Sequence, residues 1–226
     1  MLNKKAHKII ENWLEATIYL ISVIIELYLL RQTKFLPTFM GGADGNSLDY
    51  LYVGYPMYVL PYGMSTFFFA SLGLHILRFV QLLGASTKKN DYYEMLLHHT
   101  LTFVLFTGAY LMNIIPIGFL VILAIDFCNL FTHYAKAYAG TIYTNVCMFM
   151  GAMCWATWFY SRLVCLPILI YYGLFVNPSK IPGIDKSAEK SVFTILGVFL
   201  TFIVFLSVFW WYLITRMVLK AIREGD

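Results

Sequence analysis

Charge is scarce in this sequence. Of its 226 residues only 12% are Asp, Glu, Lys or Arg, against about 25% in an average soluble domain, which excludes an ordinary water-solvated surface. The cations that remain are scattered, with a net charge of +4, so the basic stripe that a nucleic-acid partner needs is missing and none is expected. Cysteines number four, Cys128, Cys147, Cys154 and Cys165, all in apolar runs and without C-x-x-C spacing. That excludes a zinc finger or disulfide framework and leaves buried free thiols. Histidine stops at five, short of the roughly eight that fill the two metal shells of a membrane di-iron hydroxylase. Internal repeats are absent too, and with them the related halves of a transporter. The basic N-terminal segment carries Glu11 and Glu15, which a cleaved leader avoids, and it is expected to be retained.

Long apolar runs take the place of charge, and 60% of the residues are hydrophobic. The runs Trp13 to Leu30, Met57 to Leu83, Tyr93 to Ile115, Ile117 to Tyr134, Thr141 to Val176 and Ser191 to Leu219 approach or exceed the ~20 residues that cross a ~30 Å hydrocarbon core. The pattern predicts an all-α protein, a polytopic bundle of about six transmembrane helices in a single domain over residues 1–226. In a six-span arrangement Lys4, Lys5, Lys8, Arg78, Lys88, Lys89, Lys136, Arg216, Lys220 and Arg223 share the side of the N-terminus, against Arg31, Lys34, Arg162, Lys180, Lys186 and Lys190 opposite. The excess places both termini on the inner face. The run from Thr141 to Val176 is long for one helix and holds Arg162 and Pro167, so a kink or a re-entrant break is expected there.

Two adjacent imidazoles, His98 and His99, interrupt the third run. At about 100° per residue, Asp91, Met95, His98 and Thr102 share one helical face, with His99 beside it. The fourth run holds Asp126, Asn129, His133 and Lys136 at spacings of 3, 4 and 3. Between them the segment NIIPIG is too short for anything but an antiparallel neighbour, and a rise of ~1.5 Å per residue brings His98 and His99 to the height of Asn129. The two stripes are therefore expected to face each other as one buried polar site open to the inner surface. Ionisable groups within spans are functional by default.

The pattern D-x-x-x-M-x-x-H-H-x-x-T (Asp91 to Thr102), followed by Tyr110, Asn113, Gly118, Asp126 and Lys136, resembles the signature of the TLC-domain family. W-F-x-x-R-L-x-x-x-P (Trp158 to Pro167) continues the likeness more loosely. The best-known enzymes of that family are the ceramide synthases, which join a fatty acyl group from acyl-CoA to the amine of a sphingoid base. The resemblance implies a ceramide synthase-like lipid N-acyltransferase acting on a sphingoid or related amine. His98, His99, Asp126 and Asn129 would then be catalytic, Lys136 would contact the CoA, and Asp91, Thr102 and His133 would line the substrate site. Acyl-CoA enters as co-substrate, with no resident cofactor and no metal implied. The implied location is the endoplasmic reticulum, among membrane lipids and with further membrane subunits or a second copy as partners.

The sequence also departs from that pattern. Ile125 stands where the family has the His of a His-Asp pair, Asn129 where it has a second Asp, and His133 where it has Glu. These departures support an alternative: a catalytically inactive TLC-fold protein serving as a lipid-binding or accessory subunit of a larger membrane complex. The basic N-terminus makes the mitochondrial inner membrane the alternative location. In the blandest reading His98 and His99 are core histidines bonded between helices, Asp126 is a structural partner, Lys136 snorkels and Arg162 is an interface anchor. His75, Glu26 and Glu94 carry no motif.

Overall fold

The computed structural model describes residues 2–57, 59–84, 91–139, 141–180 and 188–224. The long helices are α1 Leu2–Arg31, α2 Met64–Leu83, α3 Tyr92–Leu111, α4 Ile115–Tyr138, α5 Thr144–Val176 and α6 Ala188–Glu224. No strand occurs among the described residues. All but α3 contain a stretch long and apolar enough to cross a membrane, and the protein is an integral membrane helical bundle. At 20 residues α3 matches α2 in length, but Glu94, His98, His99 and its threonines dilute its apolar character.

Several stretches differ from the sequence expectation. α2 begins at Met64 and not at Met57, because Pro56, Pro61 and the left-handed Gly63 (φ 87) interrupt any earlier helix. α1 starts well before Trp13. α5 neither ends nor re-enters: it runs on through wide π turns at Phe159–Cys165 and Leu169–Val176, on either side of Leu166–Ile168. Pro167 lacks the N–H that an α-helix needs there, and widening the turns lets the chain continue around it.

Five helices are long and apolar enough to cross, and a sixth crossing by α3, as the sequence predicts, would return the chain to its starting side. Tags placed at the two ends are expected to show the same protease accessibility in sealed vesicles; opposite accessibility would mean that one of the six helices does not cross. Lys88, Lys89 and Lys186 of the charge count lie outside the described residues.

The chain falls into two compact units. The first comprises Met1–Tyr28, Ile122–Leu166 and Ser207–Asp226. In it α1 and α4 run antiparallel: the Trp13 ring packs edge-on against Tyr134 and Tyr138, both at 5.4 Å between centroids, and further along α1 the Tyr19 ring stacks on His133. Asn12, Tyr19 and Glu26 recur every seventh residue on α1, about two helical turns apart and so on one face. α5 and α6 are likewise antiparallel, tied by Trp155 Nε1 donating to Thr215 Oγ1 (2.9 Å) and Trp158 Nε1 donating to the Ser207 carbonyl (3.0 Å).

The second unit comprises Leu29–Val121 and Pro167–Leu206. Here α2 and α3 are antiparallel, with Phe68 against Phe106 (4.9 Å) and Phe69 against Tyr110 (5.1 Å). A Schellman turn ends α3: Asn113 takes the left-handed conformation (φ 50), its N–H reaches Tyr110 O at 3.0 Å, and Ile114 N–H reaches Ala109 O at 2.8 Å. Asn is one of the few residues that tolerates that backbone, and its amide Nδ2 donates to the Pro56 carbonyl. Pro116 follows in the first turn of α4, where its missing N–H leaves no helical bond unmade. A side chain at Gly118 would meet the Phe68 ring at 2.8 Å and Ala109 Cβ at 3.5 Å, so this glycine lets α4 approach α2 and α3 closely.

Candidate active site

The polar residues singled out in the sequence fall into two groups. Asp91, His98, His99 and Thr102 belong to the second unit, whereas Asp126, Asn129, His133 and Lys136 belong to the first.

On α3, His98 and His99 are both buried, at 7% and 8% exposure, with ring centroids 5.5 Å apart. A third imidazole that the sequence did not single out, His75, projects from α2 to lie 6.3 Å from the His99 ring. Phe106 lies 5.3 Å from His75, and Phe79 lies 6.3 Å from His99. The Nδ1 of His99 meets no hydrogen-bond partner. A neutral imidazole carries one donor and one acceptor nitrogen, so this ring has a nitrogen uncommitted to the fold. Thr102 is buried and donates its hydroxyl to the His98 carbonyl at 2.8 Å, the back-bond that threonine commonly makes inside helices. Asp91 stands at the cap position of α3, and Glu94 follows in the first turn, where negative charge suits the positive end of the helix dipole.

The first unit holds a denser polar cluster. Asp126 is 7% exposed, and its carboxyl interacts with that of Glu26 on α1, which is wholly buried. Next to them on α4, Cys128 and Asn129 receive Arg162 of α5: Nε donates to Cys128 Sγ at 2.9 Å and Nη2 to Asn129 Oδ1 at 3.0 Å. The guanidinium also lies over the Trp158 ring, 4.1 Å from its centroid. Arg162 is only 2% exposed, so it is no interface anchor but a buried cation held by a fork of polar acceptors and an aromatic face. His133 is partly buried, bonded through Nδ1 to Asn12 Oδ1 at 3.2 Å, and Lys136 is exposed in the last turn of α4. Ile125, buried at 5% exposure, places an alkyl group beside Asp126 in the chain. The described cysteines are free thiols, and among the described residues no three His, Cys, Asp or Glu side chains gather as metal ligands.

The family model of the TLC domain matches residues 8–216. This chain belongs to the TLC-domain family. Among curated relatives, it is 27% identical to ceramide synthase 4 of Bos taurus over 172 residues, 76% of this chain and 42% of that protein. It is 19% identical to ceramide synthase hyl-1 of Caenorhabditis elegans over 231 residues, 98% of this chain and 60% of that protein. With ceramide synthase LOH2 of Arabidopsis thaliana the identity is 21%, over 76% of this chain and 58% of the relative. The chain thus spans about half the length of the ceramide synthases it matches, and it is a ceramide synthase-like TLC domain. The TLC match takes in both polar groups, and its span also includes Glu26 and Arg162, which carried no functional expectation in the sequence.

Proposed function

We propose that this TLC domain catalyses acyl-CoA-dependent N-acylation of a sphingoid or related long-chain amine in the endoplasmic reticulum membrane. The observation that carries the proposal is the buried imidazole pair on α3, one ring of which has an uncommitted nitrogen, in a family whose curated relatives here are ceramide synthases. In the reaction the amine nitrogen attacks the thioester carbonyl, a C–N bond forms and the C–S bond breaks. Of the two protons lost by the ammonium, one leaves on the CoA sulfur and one passes to solvent. An imidazole of the His98/His99 pair acts as the base that relieves the attacking nitrogen of its proton. The family resemblance assigns Asp126 and Asn129 to the same reaction. With its Oδ1 committed to Arg162, Asn129 offers its amide N–H groups to a carbonyl oxygen. Thr102, whose hydroxyl proton is committed to the backbone, offers the substrate an acceptor; the family resemblance gives Asp91 and His133 substrate contacts as well, and gives exposed Lys136 the CoA phosphates.

The alternative, a silent lipid-binding or accessory subunit, is favoured by two observations: an alkyl side chain at Ile125 and the engagement of Asn129 by Arg162. Expression in cells stripped of their own ceramide synthase activity separates the two. The wild-type chain is expected to restore N-acylated long-chain bases. Correctly inserted protein that restores none would leave the silent subunit.

A further inference from the structure

Glu26 is a fully buried carboxyl of the first unit, with no exposed surface. Neither of its carboxyl oxygens meets a hydrogen-bond donor, and the group it interacts with is another carboxyl, that of Asp126. Two ionised carboxylates are acceptors only, so as a pair of anions they would leave buried acceptors unsatisfied and like charges in contact. One proton removes both problems, because a protonated carboxyl donates to its ionised neighbour.

The same count follows from charge. The groups of this cluster are Glu26 on α1, Asp126 and Cys128 on α4, with His133 about two turns further along, and Ser161 and Arg162 on α5. Arg162 contributes one buried positive charge, held against a thiol, an amide oxygen and an indole face. A buried cation is tolerated where a counter-charge lies in the same cluster. A carboxyl pair with one proton supplies one negative charge to match that of Arg162.

We propose that Glu26 is a positioning residue: it stays protonated and donates a hydrogen bond to Asp126, holding that carboxylate in place as the single anion opposite Arg162. The consequence for turnover rests on the reaction proposed above, whereas the protonation itself does not. Three substitutions separate the possibilities. Glu26→Gln keeps a neutral donor of the same length and is expected to retain wild-type kcat within a few fold. Glu26→Leu keeps the volume without a donor and is expected to lower kcat by about 10- to 100-fold with KM little changed, the scale seen when outer partners of working ligands are lost. Should Glu26→Gln be as damaging as Glu26→Leu, the group acts as an ionised carboxylate and the proposal is wrong.

Infrared spectroscopy of the full chain in lipid tests the protonation with no need for turnover. A protonated-carboxyl band is expected at neutral pH in the wild type, lost in Glu26→Gln and displaced in frequency in Asp126→Asn. No such band in the wild type, or a band that Glu26→Gln leaves untouched, overturns the assignment. The band present as expected but no turnover in any variant would instead overturn the proposed reaction and leave the carboxyl pair standing.

Discussion

Replacing His98 or His99 by alanine is expected to lower long-chain amide formation by about 10²- to 10⁴-fold, the contribution of a well-placed general base. The two substitutions should fall near the same floor when combined, because residues that act as a unit are strongly non-additive. Folding should survive, since α3 is held on α2 by Phe68 against Phe106 and Phe69 against Tyr110, contacts that neither histidine makes. Rates measured on protein whose thermal unfolding in detergent matches the wild type would isolate the chemical effect. Histidine variants as active as the parent would remove the imidazoles from the reaction and with them the basis for assigning one.

Arg162→Met is expected to destabilise the protein by about 2–4 kcal/mol, since a charge-assisted hydrogen bond contributes ~1.5–3 kcal/mol and a desolvated cation over an aromatic face ~2 kcal/mol, less the relief of desolvating one charge. Met fills much of the space but gives Asn129 Oδ1 no donor and leaves the carboxyl pair without its counter-charge. Arg162→Lys should fall between the two, because a point charge cannot serve Cys128 Sγ and Asn129 Oδ1 together as the planar fork does. Asn129→Asp, in contrast, should be tolerated, as Nη2 already donates to that position at 3.0 Å. Denaturant unfolding of the reconstituted protein orders the three variants. An Arg162→Met protein as stable as the wild type would mean that the cation is a net burden to the fold.

Much of the architecture was legible in the sequence because apolar length is a strong signal in a membrane chain. The six runs correspond to six helices, and the α3–α4 turn could be anticipated from NIIPIG. The starts were harder to read. The stretch from Met57 looks apolar enough to span, but Pro56, Pro61 and Gly63 fix a non-helical backbone up to Met64. At α5 the opposite happened: Pro167 suggested a break, and the helix absorbs it by widening its turns on both sides. Within the site, stripes on one helix were visible as spacings, whereas partners from another helix were not. Arg162 reads as an anchor in a linear string because a lone arginine in an apolar run usually snorkels, and only the fold shows it turned onto Cys128, Asn129 and Trp158. Glu26 likewise sits in an apolar run without a motif. A signal did exist for it, the seven-residue recurrence of Asn12, Tyr19 and Glu26 answered by Asp126 and His133 seven apart on α4, but it takes both helices to recognise it. His75 is the same case on α2.

The most direct test of the central proposal is turnover by the purified full chain in lipid nanodiscs, supplied with acyl-CoA labelled in the acyl group and a sphingoid base. The label is expected to appear in an N-acylated base, dependent on both substrates and abolished in the His98→Ala, His99→Ala double variant. A folded wild-type protein that transfers no label, whatever the acyl chain length and whichever long-chain amine is offered, would contradict an acyltransferase and leave a TLC domain that holds lipid without acylating it.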